Sequence, residues 1–287
     1  MDISIVILNY KTAGLVKQCV KGIIAAQPKA EYEIIIVDNN SGDRCLDVMQ
    51  QYMTSLAHQP STLFRQALAV PVVQYVQMPR NDGFAVGNNA GIRQARGEFI
   101  LVLNPDIAII PGIIESMVAY MHNHPGVGIV GPRLIYPDGS AQDSCRRFPR
   151  LVTPLLRRSV FGKLPQAKRL LDEYVMNDFD HKATRTVDWL FGAFLVIRRD
   201  VIDAVGMFDE RFFLYFEDLD LCRRCWQAGY EVHYVADTEV VHYHQRQSAE
   251  KTGIRALFDR AGRIHLQSGF KYFAKYWGVN LPPRPHA

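Results

Sequence analysis

What most constrains the fold of this chain is a pair of short aliphatic runs near its start, residues 3–8 (ISIVIL) and 34–37 (IIIV). A helical stretch at 15–26 lies between them, and polar residues follow each run at once. Such runs have almost no polar alternation, so strands made from them must be covered on both faces. Strand, helix and strand in that order form a βαβ unit, which implies an α/β fold with a mostly parallel central sheet flanked by helices. Open sheets of this type bind ligands in the crevice beyond the carboxyl ends of their strands. That rule selects Asn9-Tyr10-Lys11, Asp38-Asn39-Asn40-Ser41-Gly42-Asp43, and Asn104-Pro105-Asp106 after the apolar run at 99–103.

The rest of the chain continues in the same style. Residues 72–77 read as a strand, and Asn81-Asp82-Gly83 as a turn into a helix near 86–96. A helix at 111–122 opens with Pro111, a residue favoured in the first helical turn. A strand at 128–136 ends in the turn Pro137-Asp138-Gly139, and a buried strand at 187–198 is interrupted by Gly192-Ala193. Residues 217–228 are helical, 230–235 and 239–242 strand-like, and a long amphipathic helix closes the chain. The expected organisation is one domain over 1–250 and a helical extension over 251–287.

Simple counts exclude several classes. No stretch reaches the roughly 18 apolar residues of a transmembrane helix, and the N-terminus has neither a basic flank nor a cleavage site. A cytoplasmic protein, soluble or peripheral on the inner face of a membrane, is expected. The five cysteines have no regular spacing, so Cys222 and Cys225 read as helix-packing thiols. A net charge of +4 is too small to make nucleic acid a default partner, but it is unevenly spread. Residues 144–170 hold eight Lys or Arg and no acid, and residues 254–277 hold five bases against Asp259 alone.

Three carboxylate segments carry the chemistry. Asp38 leaves a buried strand where it can accept hydrogen bonds from a ribose or a base, or else cap the next helix. Asn104-Pro105-Asp106 offers a carboxylate and an amide oxygen to a hard cation such as Mg²⁺ or Mn²⁺, or else simply turns the chain. Glu217-Asp218-Leu219-Asp220 opens a helix after the aromatic run at 212–216. A carboxylate there can act as a general base, or serve only to cap the helix and offset its dipole. His242 and His244 lie at alternate positions of an extended segment, and either can complete a metal site with Asp106 or make a structural hydrogen bond.

Taken in order, these segments resemble the inverting glycosyltransferases of family 2, in particular the rhamnosyltransferase-like branch that builds cell-surface polysaccharides. The resemblance spans roughly residues 3–250 and is carried by ISIVILNY, IVDNNS, NDGF with NNAG, LNPD, GAF, FDE and EDLDLC. It implies a GT-A type fold with a Rossmann-like nucleotide half and an acceptor half. It assigns Asp38 to the nucleotide, with Asn9, Tyr10, Asn40, Asn81, Gly83, Asn88 and Asn104 around the same pocket. It makes Asp106 a metal ligand, with His242 closing the site and His244 competing for that position, and Asp218 the catalytic base beside Glu217. The usual family motif has an acid where this chain has Asn104.

The implied activity is that of a metal-dependent, inverting hexosyltransferase. Its donor is a nucleoside-diphosphate sugar, dTDP-rhamnose or a UDP-sugar, and its acceptor a saccharide carried on a polyprenyl diphosphate. Competing readings are a nucleotidyltransferase, for which the first strand lacks a basic Gly-rich loop, and a dehydrogenase, for which it lacks spaced glycines. An inactive subunit that binds a nucleotide sugar or a lipid carrier is the non-enzyme reading. The C-terminal helix places Ile254, Leu257, Phe258, Ala261, Ile264, Phe270, Phe273 and Trp277 on one face. That face packs on the core or lies on an anionic bilayer, and the basic stretch at 144–170 is either a solvated loop or a contact for acceptor phosphate.

Overall fold

The computed structural model describes residues 1–58, 71–243 and 260–282. Its strands are β1 (Ile3–Asn9), β2 (Tyr32–Asp38), β3 (Val72–Gln77), β4 (Phe99–Leu103), β5 (Ile107–Ala108), β6 (Val127–Ile135), β7 (Cys145–Arg146), β8 (Arg185–Thr186), β9 (Trp189–Leu190), β10 (Phe194–Arg198) and β11 (Glu231–His242). The main sheet has the order β3-β2-β1-β4-β10-β6-β11-β5, with β8 paired to β11. From β3 to β4 every pairing is parallel. Strand β10 runs against both β4 and β6, and β11 is parallel to β6. Strands β1–β4, β6 and β11 therefore point one way, and their carboxyl ends share one edge.

Helices α1 (Ala13–Ala26), α2 (Cys45–His58) and α4 (Ile113–Asn123) cover one face, and α3 (Phe84–Ile92), α7 (Arg199–Val205) and α8 (Glu217–Gln227) the other. Ile5, Ile7, Ile34 and Ile36 feed the first core and Val6, Ile35 and Val37 the second, so the aliphatic runs are buried on both sides as their composition requires. Helix α3 lies flush on β1 because a Cβ at Gly91 would run into Val6, and one at Gly87 into Leu8. All five cysteines are free and buried.

Two expectations are corrected. The stretch at 187–198 is not one interrupted strand: β9 pairs with β7 in a separate two-stranded sheet, and only β10 joins the main one. The chain changes sheets there because the Phe191 N–H donates to the Ser144 carbonyl and the Gly192 N–H to the Asp218 carboxylate, not to a neighbouring strand. The basic stretch is not a loop. It folds into α5 (Thr153–Arg158), a 3₁₀ turn (Val160–Lys163) and α6 (Pro165–Val175), and both helices carry proline in the first turn, where its missing N–H costs nothing.

The last helix is α9 (Arg260–Lys275). Ile254, Leu257 and Phe258 lie outside the described residues. Of the rest of the expected apolar face, Phe273 packs against the core, whereas Phe270 and Trp277 are exposed. The buried side of α9 is Ser268, Gly269 and Tyr272. Tyr272 lies 5.6 Å from Phe216 between ring centres, and Ser268 donates to the Leu214 carbonyl at 2.8 Å. Lys275 also reaches Asp220 at 2.6 Å. The last helix thereby braces the aromatic segment that leads into α8.

Candidate active site

At the end of β1, Asn9 is fully buried and its amide is committed. Its Nδ2 lies 2.9 Å from each of Asp38, Ser41 and Asp43, while its Oδ1 accepts from the Thr12 backbone and hydroxyl. Asn9 thus orients Asp38. The capping role open to Asp38 is filled by Asp43, whose carboxylate accepts from the N–H groups of Cys45 and Ala13 at the starts of α2 and α1. Burial pushes the Asp43 carboxyl up, but bonds from Ser41, Ala13, Asn9 and Cys45 outweigh it and hold it below its ordinary range. Asp38 Oδ2 instead accepts from Gln77 Nε2 at 3.0 Å, at the end of β3.

Tyr10 is exposed beside this cluster, and Asn40, in the left-handed region at φ +52°, donates to the Pro79 carbonyl. Asn81 turns the chain by accepting from the Gly83 N–H and from Asn39. Asn88 is buried and donates to the Phe84 carbonyl, so its amide is engaged inside α3. Asn39 belongs to the strand-end segment picked out from the sequence but was assigned no binding role; it is 2% exposed, and its Oδ1 has no partner among the described residues. Gln77 was missed, since no motif marks it.

Gly83 joins this half to the next. It sits at φ +101°, and a Cβ there would run into the Phe213 carbonyl, which accepts from the Phe84 N–H at 2.7 Å. Gly83→Ala is expected to destabilise the fold by roughly 2–4 kcal/mol, since it combines backbone strain with overpacking. A denaturant titration checks this, and an unchanged midpoint would rule out the close approach.

The other two carboxylate segments meet at the loop before β10. The Asn104 N–H donates to the Ala193 carbonyl at 2.9 Å, and the neighbouring Gly192 N–H donates to Asp218 Oδ2 at 2.9 Å. Phe84, next to Gly83, borders the same glycine, so the turn at 81–83, the loop at 192–193 and Asp218 adjoin one another. Asp218 Oδ1 accepts from the Leu219 N–H at 2.8 Å. Burial pushes the Asp218 carboxyl up to about 6 in spite of these donors. Burial, and then the charge of Asp218, push Glu217 well above its ordinary range, and Glu217 Oε2 has no partner among the described residues.

Strand β5 lies against the end of β11, pairing Ile107 with His242, and the Tyr243 N–H donates to the Asp106 carbonyl at 2.9 Å. His242 Nε2 consequently faces Asp106 Oδ1 at 3.3 Å. Gln142, absent from the expected site, fixes the ring: its Nε2 donates to the His242 carbonyl, which turns its Oε1 towards His242 Nδ1 at 2.9 Å. With the ring proton on Nδ1, Nε2 has the chemistry of a metal ligand, although among the described residues no group of three or more His, Cys, Asp or Glu is placed to hold a metal ion. His244 lies outside the described residues.

A mostly parallel sheet with a polar cluster at the ends of β1 and β2, and buried carboxylates beside the loop before β10, defines a GT-A type α/β fold of the glycosyltransferases. The chain belongs to glycosyl transferase family 2, whose model matches residues 4–185. Within the family it is rhamnosyltransferase-like. Over 146 residues it is 34% identical to the N-acetylglucosaminyl-diphospho-decaprenol L-rhamnosyltransferase of Mycobacterium tuberculosis, covering 51% of this chain and 47% of that one. The chain thus spans about half the length of that relative. Rhamnosyltransferase WbbL of Escherichia coli is 29% identical over 207 residues, 67% of this chain and 70% of the relative. Among solved structures, the mannosyltransferase PcManGT of Pyrobaculum calidifontis, in complex with GDP-Man and Mn²⁺, shares the fold at a TM-score of 0.53 and 16% identity, over 97% of this chain and 75% of that one.

Proposed function

We propose that this protein transfers a sugar, with rhamnose as the first choice, from a nucleoside-diphosphate sugar to a saccharide on a polyprenyl diphosphate, with inversion at the anomeric carbon. The observation that supports this best is the meeting of Asp218, the loop at 192–193 and the turn at 81–83. The lipid-linked acceptor and the rhamnose are suggested by the name of the mycobacterial relative.

In this reading the cluster of Asn9, Asp38 and Gln77 receives the nucleoside, with Tyr10, Asn40, Asn81 and Gly83 at its rim, and Asn88 supports it from inside α3. Asn104 holds the next turn against Ala193. Asp218 accepts the proton of the acceptor hydroxyl as its oxygen attacks the anomeric carbon from the face opposite the diphosphate. The Gly192 N–H keeps the carboxylate aimed, and Glu217, whose carboxyl burial pushes well above its ordinary range, lies next to it in the chain. Asp106 and His242 would hold Mg²⁺ or Mn²⁺, which when bound neutralises charge on the departing diphosphate.

The activity test is incubation with dTDP-rhamnose or UDP-sugars and a prenyl-diphosphate-linked sugar, followed by chromatography of the lipid product. Nucleotide binding without transfer to any such acceptor would favour a binding subunit. A second test is the pH profile. A base whose carboxyl titrates near about 6 makes kcat/KM rise roughly tenfold per pH unit below that value and level off above it. A limb near pH 4, the ordinary carboxylate range of about 3.9, would place the base elsewhere.

Among the described residues no helix is long and apolar enough to cross a membrane. Peripheral contact with the inner face of the cell membrane is the arrangement a lipid-linked acceptor requires.

A further inference from the structure

The segment of α5, the 3₁₀ turn and the start of α6 exposes more large apolar side chains than any other part of the described chain of similar length. Leu155 is 68% exposed, Phe161 64%, Leu164 56% and Leu151 54%, all within 14 residues. An isolated exposed leucine has no meaning, but four such side chains within 14 residues of one small helical segment mark an interaction surface. Cations are interspersed with these side chains along the chain. Arg157, Lys163, Lys168 and Arg169 are exposed, and there is no acid from 144 to 170. The first acids, Asp172 and Glu173, come at the far end of α6, where Glu173 is paired with Arg150 at 3.2 Å.

We propose that this hairpin docks the enzyme on an anionic lipid bilayer, its apolar side chains entering the acyl boundary and its bases meeting the headgroups. The proposal deepens the reading of a lipid-linked acceptor and moves the contact from α9 to α5 and α6. A protein partner with an apolar, acidic face is the weaker candidate, because long flexible bases around scattered leucines match a fluid anionic surface better than one fixed geometry. A chain of packed side chains also leads from the hairpin towards the loop that holds Asp218. Tyr174, on α6, is buried between Arg146 and Arg157, whose guanidinium carbons lie 5.4 and 5.6 Å from its ring centre. Arg146 also stacks at 5.3 Å on Phe191, the neighbour of Gly192. Arg146 is 8% exposed and its Nη1 has no partner among the described residues. An acceptor diphosphate held at the membrane face would thus find cations on the side of Asp218.

Flotation of the full chain with vesicles tests this without donor or acceptor, so its outcome is independent of whether the transfer reaction has been identified correctly. Vesicles of phosphatidylcholine with one part in three phosphatidylglycerol, about 0.33 by mole, are compared with phosphatidylcholine alone at low and high salt. Binding is expected to the anionic vesicles, to weaken with salt, and to fall at least tenfold in the double variant Leu155→Ser and Phe161→Ser, roughly the loss of two buried apolar anchors. Both side chains are exposed, so the fold should survive, and an unchanged melting temperature and far-UV circular dichroism check that it does. The pair Phe270→Ser and Trp277→Ser on α9 is expected to bind as the parent does. Equal binding to neutral vesicles, no binding to anionic ones, loss of binding through the α9 pair instead, or a dimer in sedimentation that the α5 pair dissociates would each overturn the proposal.

Discussion

Asp218→Asn is expected to lower kcat by roughly 10²- to 10⁴-fold, the contribution of a positioned general base, with little change in nucleotide binding. The substitution suits the test because the asparagine Oδ1 can still accept from the Gly192 N–H, which now bonds at 2.9 Å, so the loop before β10 keeps its anchor. The proton acceptor is lost, and with it the bond that the other carboxylate oxygen accepts from the Leu219 N–H. Stability gives a second readout. The folded-state carboxyl lies at about 6, above the ordinary value of about 3.9, so the fold binds a proton that the unfolded chain has released. That contribution is present below pH 4 and lost as pH rises through about 6. Asn carries no such charge, and it also removes the repulsion that Asp218 imposes on Glu217. The variant should therefore be nearly inactive yet at least as stable as the parent at pH 7.5. Full turnover would remove Asp218 from the role of base, and a fall in stability would show that the carboxylate is structural.

The legibility of this fold in its sequence follows from how local each determinant is. The runs at 3–8 and 34–37 needed no tertiary information, because aliphatic residues on both faces of a strand have only one stable outcome, a sheet covered on both sides. Asp38 was ambiguous between capping and binding because Asp43, five residues on, competes for the same helix starts, and only its bonds to Cys45 and Ala13 decide the matter. The stretch at 187–198 was misjudged because its hydrogen bonds go to Ser144 and Asp218, far along the chain. Pro154 and Pro165 mark the first turns of α5 and α6, but proline is equally at home in turns, so neither distinguishes a helix start from a basic loop. Gln142 was beyond reach: it meets His242, 100 residues away, through side-chain and backbone bonds that no motif encodes.

Asp106→Ala is expected to weaken Mn²⁺-dependent binding of dTDP or UDP by roughly 10²-fold, and to reduce turnover further, while metal-free nucleotide binding stays as it is. The geometry makes this a sharp test, because the 3.3 Å approach of His242 Nε2 to Asp106 Oδ1 has two interpretations. If His242 is protonated on both nitrogens, the pair is a hydrogen-bonded ion pair with no need of a metal. If Gln142 keeps the only ring proton on Nδ1, Nε2 and the Asp106 carboxylate are both of the type that ligates a divalent cation. Thermal-shift titration of nucleotide with and without Mn²⁺ separates the two, since a ligand of the native state alone raises stability by mass action. Gln142→Leu sharpens it further. Without the amide oxygen the ring can take the other tautomer, and metal affinity is expected to drop roughly 10- to 100-fold, as for other residues that orient a ligating histidine. A metal-dependent shift in the parent that both variants lose would assign Asp106 and His242 to the cation. A shift unaffected by Asp106→Ala would leave the pair as a structural tie between β5 and β11, and the cation would then have to be held by other residues.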